Sequence, residues 1–392
     1  MISIGSLKNV ITKGVSKCSM NKVSSATASV LCHLLRRVTD PAFPLDHDLL
    51  KSADWKKVRK LAAVQGVQSI IFDAVSELPA DLRPSQAFMM PWIRYVVGQE
   101  QIYTRHSAAI ADLSAFYESH GIRMMLLKGW GLSLNYPHPK HRPCGDVDVW
   151  LYGEYEKGDA LLESEFDIHP LMSSHHTIFF YKDVEVENHI TFIETDCHKA
   201  DGSEEILLKY AEEAPISVMS VKGNPILLPS ADMNAYFLLR HSTAHFATEY
   251  ISLRHLLDWA FFVDKHHSQI NWDELYANAE KANMHIFLDC QNAICVNELG
   301  FSPEHFPVRK SRPELEKRIF NDIISPEFNE DAPDMRQNFL KYCYVKTKRN
   351  FANKWKYDIT YKESFYSILF RFAWNRIKSP YSFADIMDKN KI

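Results

Sequence analysis

Leu126–Leu151 reads LLKGWGLSLNYPHPKHRPCGDVDVWL, and the second half of this stretch places two aspartates one residue apart in an apolar segment. Because side chains alternate along a strand, Asp146 and Asp148 lie on one face and the valines beside them on the other. Their α-carbons are then about 6.5–7 Å apart, a span from which two carboxylates can share one or two divalent cations. The pattern predicts a metal-binding strand, although paired aspartates on a half-exposed strand can also face solvent.

The first half of the stretch has the order expected of a phosphate-binding turn. The apolar run Met124–Leu127 comes before Gly129 and a helix-like segment that continues to Tyr136. Backbone N–H groups at such a turn, and the positive end of a helix, favour phosphate. Lys128 and Arg142 are the nearest cations in sequence, and we expect them to contact phosphate oxygens, with ordinary surface charge as the alternative.

Four short motifs in this stretch resemble the bacterial uncharacterised nucleotidyltransferase family of the DNA polymerase beta-like superfamily. They are Lys128-Gly129, Tyr136-Pro137, Arg142 and Gly145–Val149. The resemblance implies Mg²⁺, or Mn²⁺, held by Asp146 and Asp148, and a nucleoside triphosphate such as ATP as substrate. It covers Leu126–Leu151 closely and Asp54–Leu257 loosely.

One position departs from the superfamily pattern. The first glycine is usually followed by a glycine or serine that touches the phosphates, whereas this chain has Trp130 there. Gly131 and Ser133 follow, and by resemblance we expect them, with Gly129, to bind the nucleotide.

A third carboxylate is expected from the segment KDVEVENHITF, residues 182–192. Its alternation places Asp183, Glu185, Glu187 and His189 on one face. The family's E-x-H ending points to Glu187 as a metal ligand or general base, with Glu185 as the fallback. The alternative is the charged outer face of an edge strand.

The remaining pattern predicts an α+β protein, in which a small mixed β-sheet nucleotidyltransferase core has extensive helical N-terminal and C-terminal flanks. Strands are expected at 124–127, 146–151, 166–169, 177–181 and 184–192, and a helix at 154–164. The expected divisions are a disordered tail (1–25), a helical N-terminal region (26–120), the catalytic core (121–228) and a helical C-terminal region (229–392).

Bulk composition excludes several classes of protein. The chain has 45 basic and 49 acidic residues, so it is not a polycation that coats nucleic acid. Seven scattered cysteines without a C-x-x-C pair argue against a disulfide framework or a thiolate zinc site. The sequence has neither a signal-peptide core nor a run of about 18 apolar residues that could span a bilayer. We therefore expect a cytoplasmic enzyme.

Positive charge is concentrated near the C-terminus. Residues 341–378 contain ten basic and two acidic residues, interleaved with aromatic side chains. Such a segment can bind an anionic partner, either RNA bases or a membrane surface. It can equally form a helical core with lysines reaching to solvent.

Two further functions remain open at this stage. His241 and His245 are four residues apart on an expected helix, and with Asp258 they suggest a metallohydrolase. Buried histidines and aspartates also brace helix contacts. The departure at Trp130 is compatible with a catalytically degenerate domain that binds a nucleotide, nucleic acid or protein without turnover. The acceptor could be RNA, protein, a sugar or a small molecule.

Overall fold

The computed structural model describes residues 23–173, 175–193, 201–213, 217–221, 223–248, 250–328, 330, 333 and 338–378. The tail expected over residues 1–25 therefore lies outside the described residues except for 23–25. The observed class is α+β, as predicted: one mixed sheet lies between helical flanks.

Helices form the N-terminal flank: α1 (Ser25–Thr39), α2 (His47–Lys51), α3 (Trp55–Val64), α4 (Gln68–Ser76) and α5 (Gln86–Ser119). The 34-residue α5 ends at Ser119, two residues before Gly121. This glycine adopts φ +73°, and its N–H donates to the Glu118 carbonyl at 3.0 Å. The N–H of Ile122 donates to the Tyr117 carbonyl at 2.9 Å. Glycine suits this left-handed helix end because it has no Cβ.

The sheet has seven strands in the order β3-β4-β5-β2-β1-β7-β6. Their bounds are β1 (Met125–Leu127), β2 (Val147–Trp150), β3 (Leu171–Ser173), β4 (His176–Tyr181), β5 (Val184–His189), β6 (Ser217–Val221) and β7 (Asn224–Leu228). In the centre, β2 runs antiparallel to β1 and parallel to β5. The two strands predicted to carry carboxylates are therefore direct neighbours.

The remaining helices are α6 (Lys128–Ser133), α7 (Tyr155–Phe166), α8 (Ser203–Glu213), α9 (Ala231–Thr248), α10 (Leu253–His266), α11 (Trp272–Lys281), α12 (His285–Asn297), α13 (Pro313–Ile324), α14 (Phe339–Ala352), α15 (Lys354–Asp358) and α16 (Phe365–Lys378). They place the sheet between two cores. Leu127 and Trp150 join the core that contains α9 and α10. Val149 and Val186, on the opposite face, pack with α5 and α7. The carboxylates of β2 and β5 consequently point towards the helical C-terminal flank.

Two details differ from the sequence-based prediction. The strand predicted over 166–169 is wrong: α7 continues to Phe166, and Asp167 ends it with φ +55°. The neighbouring strand begins only at Leu171. The hairpin formed by β6 and β7 was not predicted, although Gly223, with φ +89°, separates its two short apolar runs.

Candidate active site

Three side chains from β2 and β5 form a compact group that could hold a metal ion. One ligand atom from each of Asp148, Glu187 and His189 lies within 4.8 Å of the other two. The register of the parallel strands explains the contact, because Asp148 pairs directly with Glu187. His189 is two residues further along β5 and therefore shares the face of Glu187. Two carboxylates and an imidazole are a donor set suited to a divalent metal.

Asp148 is buried, at 5% exposure, and has two cationic or hydrogen-bonding partners on one oxygen. The Lys128 ammonium lies 3.1 Å from its Oδ1, and His189 Nε2 lies 3.0 Å from the same atom. Burial alone would raise the pKa of Asp148, but the Lys128 charge and the His189 hydrogen bond outweigh it and hold that pKa well below its ordinary value. Asp148 is therefore a carboxylate across the physiological range.

Glu187 has the opposite electrostatic environment. Burial, followed by the charges of Asp148 and Asp146, raises the pKa of Glu187 to about 7. On the neighbouring strand β4, His176 Nε2 lies 3.7 Å from Glu187 Oε1. Two neighbouring carboxylates with separated pKa values can divide metal binding and proton transfer between them.

Asp146 immediately precedes β2 and lies outside the three-residue group. The pKa of Asp146 is raised, because burial and then the Asp148 charge outweigh the lowering by the Lys128 and Arg254 charges. Asp146 therefore shares the electrostatic field of the group. Its role as a metal ligand stays a prediction.

The turn between β1 and α6 lies against both aspartates. Lys128 and Gly129 adopt positive φ values of 38° and 30°. A Cβ added to Gly129 would be 3.5 Å from the Asp146 carbonyl and 3.8 Å from Asp148 Oδ2. Glycine is suited to this position by its backbone conformation and by the close approach of the acidic strand. The sequence-based prediction of a glycine turn beside the D-x-D strand corresponds to this geometry.

Trp130 departs from the superfamily pattern without filling the site. Its indole is 3% exposed, stacks on Tyr103 of α5 at 5.3 Å, and donates from Nε1 to Ser107 Oγ at 3.0 Å. The side chain thus packs on α5, away from the carboxylates.

Gly131 and Ser133, predicted to bind nucleotide, have packing environments instead. A Cβ on Gly131 would be 3.4 Å from the Leu228 side chain of β7. Ser133 is fully buried, and its hydroxyl donates to the Trp130 carbonyl at 2.5 Å. The Ser133 hydroxyl is therefore used within the fold and has no free donor in this arrangement. Contact of Gly131 and Ser133 with a nucleotide stays a prediction.

Arg142 is also engaged elsewhere. Its guanidinium, 4% exposed, makes a bidentate pair with Asp258 of α10, with N–O distances of 2.9 and 2.8 Å. The Tyr136 hydroxyl donates to the same carboxylate at 2.7 Å. The pair joins the loop before Asp146 to α10. Arg142 therefore lies in a buried pair between residues 116 positions apart in sequence, and its expected contact with phosphate stays a prediction.

The metallohydrolase set does not come together. Asp258 faces Arg142 and Tyr136. The His241 and His245 rings instead pack against each other in a tilted arrangement with centroids 4.5 Å apart, and the His255 ring lies 6.5 and 6.0 Å from them. Burial, followed by nearby positive charge, holds the pKa of His241 well below its ordinary value. Within the described ranges, the metal-type cluster is the one at Asp148.

Two residues near the carboxylates had no assigned role in the sequence analysis. His189 was recognised on the face of Glu187, but only its distance from Asp148 reveals a shared site. Arg254, half-buried at the start of α10, is a cation whose charge acts on Asp146. It lies 108 residues from Asp146 along the chain, in the segment Leu253–Asp258, whose L-R-x-x-x-D pattern gave no indication of a contact with the acidic strand.

The C-terminal segment is divided between packing and exposure. Tyr357, Phe365 and Lys356 are buried, and the Lys356 ammonium lies 2.5 Å from Asp322 Oδ2. The large apolar side chains that remain exposed are Leu340, Tyr344, Phe351, Tyr366, Phe370 and Trp374. An anionic partner for residues 341–378 stays a prediction. None of the helices in the described ranges is long and apolar enough to cross a membrane.

The comparisons with known proteins concern the same central region. A family model for uncharacterised nucleotidyltransferases matches residues 51–299, more than half of the chain. No functionally curated protein matches significantly. An antigenic nucleotidyltransferase-like protein from Paracoccidioides brasiliensis, of known crystal structure, is 15% identical, with a TM-score of 0.30 over 40% of this chain and 74% of that chain. A likeness this low bears on neither fold nor function.

Proposed function

Because the chain belongs to the uncharacterised nucleotidyltransferase family, we propose that it moves a nucleoside monophosphate from a nucleoside triphosphate to an acceptor hydroxyl or phosphate. One observation carries the proposal. Asp148 and Glu187 are in-register neighbours on parallel strands, with the Lys128-Gly129 turn and Asp146 directly beside them. This combination provides carboxylates for a divalent metal next to a turn suited to phosphate.

The chemical step balances as a substitution at the α-phosphorus. The acceptor oxygen forms a bond to that phosphorus, and the bond between the phosphorus and the oxygen bridging to the β-phosphate breaks. Its electron pair leaves with pyrophosphate. If the acceptor is a hydroxyl, its proton passes to a base. Glu187 could accept that proton if it does not ligate the metal, and its pKa of about 7 in the metal-free protein suits a base at neutral pH.

The proposed residue roles follow from position. Asp148, Glu187 and Asp146 would hold Mg²⁺ or Mn²⁺, which when bound supplies positive charge for the transferring phosphoryl group and the leaving pyrophosphate. The Lys128 ammonium and the Gly129 backbone are placed to meet phosphate oxygens. Arg254 replaces Arg142 as the second phosphate cation in this proposal, because it is half-buried and acts on Asp146.

The test is transfer of α-labelled nucleoside triphosphates in the presence of Mg²⁺ or Mn²⁺, with and without total cellular RNA and protein. The wild type should label an acceptor, and an Asp146→Asn, Asp148→Asn double variant should not. Asp112→Asn is the matched control, because Asp112 lies on α5 in a surface pair with Lys182. Tight triphosphate binding without transfer under every condition would instead support a non-catalytic binding protein.

A further inference from the structure

His189 has the geometry of a metal ligand and not only of a support for Asp148. Its side chain is fully buried at the end of β5. Nδ1 lies 3.2 Å from the Thr191 carbonyl oxygen, and Nε2 lies 3.0 Å from Asp148 Oδ1. Both ring nitrogens are therefore directed at oxygen atoms that can only accept hydrogen bonds.

The hydrogen-bonding chemistry of imidazole determines which ring nitrogen of His189 carries a proton. A carbonyl oxygen has no proton to donate, so Nδ1 must carry the hydrogen in its contact with Thr191. In a neutral ring, Nε2 then presents a lone pair. That lone pair faces a carboxylate oxygen, which is also an electron-pair donor. Two electron-pair donors 3.0 Å apart need a cation near them. The Lys128 ammonium lies beside the carboxylate oxygen, and a proton or a metal ion can lie between that oxygen and Nε2.

Metal-binding histidines commonly show this pattern. One ring nitrogen coordinates the ion, while the other donates its N–H to a backbone carbonyl or carboxylate and so fixes the ring orientation. Here the Thr191 carbonyl has that position. The rings of His175 and His176 lie 5.4 and 5.6 Å from the His189 ring and limit its rotation.

We propose that His189 coordinates the catalytic metal directly through Nε2, together with Asp148 and Glu187, and that it favours a transition ion such as Mn²⁺ over Mg²⁺. The inference rests on the proposed function, because it concerns the same metal site. Mg²⁺ prefers oxygen ligands and retained water, whereas imidazole suits first-row transition ions. A nitrogen ligand fixed in the site therefore shifts selectivity away from Mg²⁺.

Lys128 contacts the same Asp148 oxygen as His189. Its ammonium lies 3.1 Å from the Asp148 oxygen that His189 also faces, and its side chain is 15% exposed. A lysine has a flexible stem, whereas the His189 ring is fixed by Thr191 and its neighbours. When that oxygen binds a cation, Lys128 can turn towards the phosphates of the substrate while His189 stays in place.

The test is pulsed electron paramagnetic resonance of Mn²⁺ bound to the purified full-length protein, without nucleotide. A directly bonded imidazole gives a ¹⁴N coupling to the Mn²⁺ electron spin. We expect this coupling in the wild type and in His176→Gln, and its loss in His189→Gln. His176 is the matched control because its ring is beside the site but outside the three-residue group. Mn²⁺ affinity should fall by about tenfold or more in His189→Gln, and Mg²⁺ affinity by less.

Failure of the His189 inference and failure of the metal site would give different results. Bound Mn²⁺ without nitrogen coupling in the wild type, or coupling retained in His189→Gln, would overturn the inference about His189 alone. Equal Mn²⁺ affinity in the wild type and Asp148→Asn would contradict the metal site and, with it, the proposed function. If His189→Gln does not fold, ¹⁵N-histidine labelling of the wild type and His176→Gln decides the question. In the labelled protein, the ¹⁴N coupling to Mn²⁺ should be replaced by a ¹⁵N coupling. An unchanged pulsed spectrum would contradict the proposal.

Discussion

At the scale of single residues, the two carboxylates of the central strands differ because their surroundings differ. Asp148 has Lys128 and His189 on one oxygen, which keeps its pKa low, whereas Glu187 is half-buried beside negative charge. The alternation of β5 was enough to predict that Glu187 faces the site. It could not rank Glu187 above Glu185, which the strand places on the same face; the family resemblance did so.

A comparison of these two glutamates tests the assignment. Glu187→Gln should reduce the transfer rate by about 100-fold or more, because it removes a metal ligand or base from the reacting centre. Glu185→Gln should leave the rate within a few-fold of wild type, because Glu185 lies outside the three-residue group. Steady-state kinetics of both variants provide the measurement. Equal losses in both would contradict the assignment.

The pH dependence of metal affinity and of stability follows from the Glu187 carboxyl. Its pKa is raised from 4.5 to about 7, so the metal-free folded protein holds a proton there that the unfolded chain releases. Metal binding must displace this proton, so apparent Mn²⁺ affinity should rise about tenfold per pH unit below pH 7 and level off above it. Without metal, stability should fall as pH rises from 4.5 to 7. Mn²⁺ affinity and unfolding free energy are measured against pH for the wild type and for Glu187→Gln. The variant should show neither trend.

At the scale of elements, the predictions were best where local pattern and burial agree. β2 and β5 alternate clearly, and α5 runs unbroken to its glycine, so their existence was predictable. The region after α7 was misassigned because apolar Phe166 and Ile168 satisfy a strand pattern, while Asp167 in fact ends the helix. The β6–β7 hairpin was missed, and Pro225 within β7 is a residue type that argues against a strand.

The packing of α6 on α5 gives a test at this scale. Trp130→Phe should destabilise the protein by about 1 kcal/mol or somewhat more, because it removes the hydrogen bond to Ser107 and part of a buried ring. The KM for the nucleoside triphosphate should stay within about twofold of wild type. Denaturant unfolding and steady-state kinetics measure the two effects. A large rise in KM with unchanged stability would place the indole at the nucleotide instead.

At the scale of the whole molecule, the site depends on contacts between distant parts of the chain. The Arg142–Asp258 pair fixes the loop before the D-x-D strand to a helix in the C-terminal flank. No local pattern in the sequence could reveal this pairing. From the sequence, Arg142 was therefore expected to contact phosphate, and Asp258 was considered as a metal ligand. The same limitation concealed the position of Arg254 near Asp146.

Breaking this pair should be costly. Asp258→Ala leaves the buried Arg142 guanidinium without its partner, and we expect the free energy of unfolding to fall by about 3–5 kcal/mol. Lys157→Ala, which breaks the exposed pair with Glu154, is the control and should cost about 1 kcal/mol or less. Chemical denaturation measures both. A loss of transfer activity in Asp258→Ala with full stability would instead give Asp258 a direct part in the reaction.

The central claim is that the Asp148–Glu187 site transfers a nucleotidyl group. Parallel reactions with α-labelled and γ-labelled triphosphate test it most directly, in the presence of Mn²⁺ and cellular acceptors. We expect the α-label to become attached to an acceptor while the γ-label is released in pyrophosphate, and we expect both events to be lost in Asp148→Asn. Attachment of the γ-label to the acceptor, or release of the γ-label as free phosphate with no α-label transferred, would contradict it.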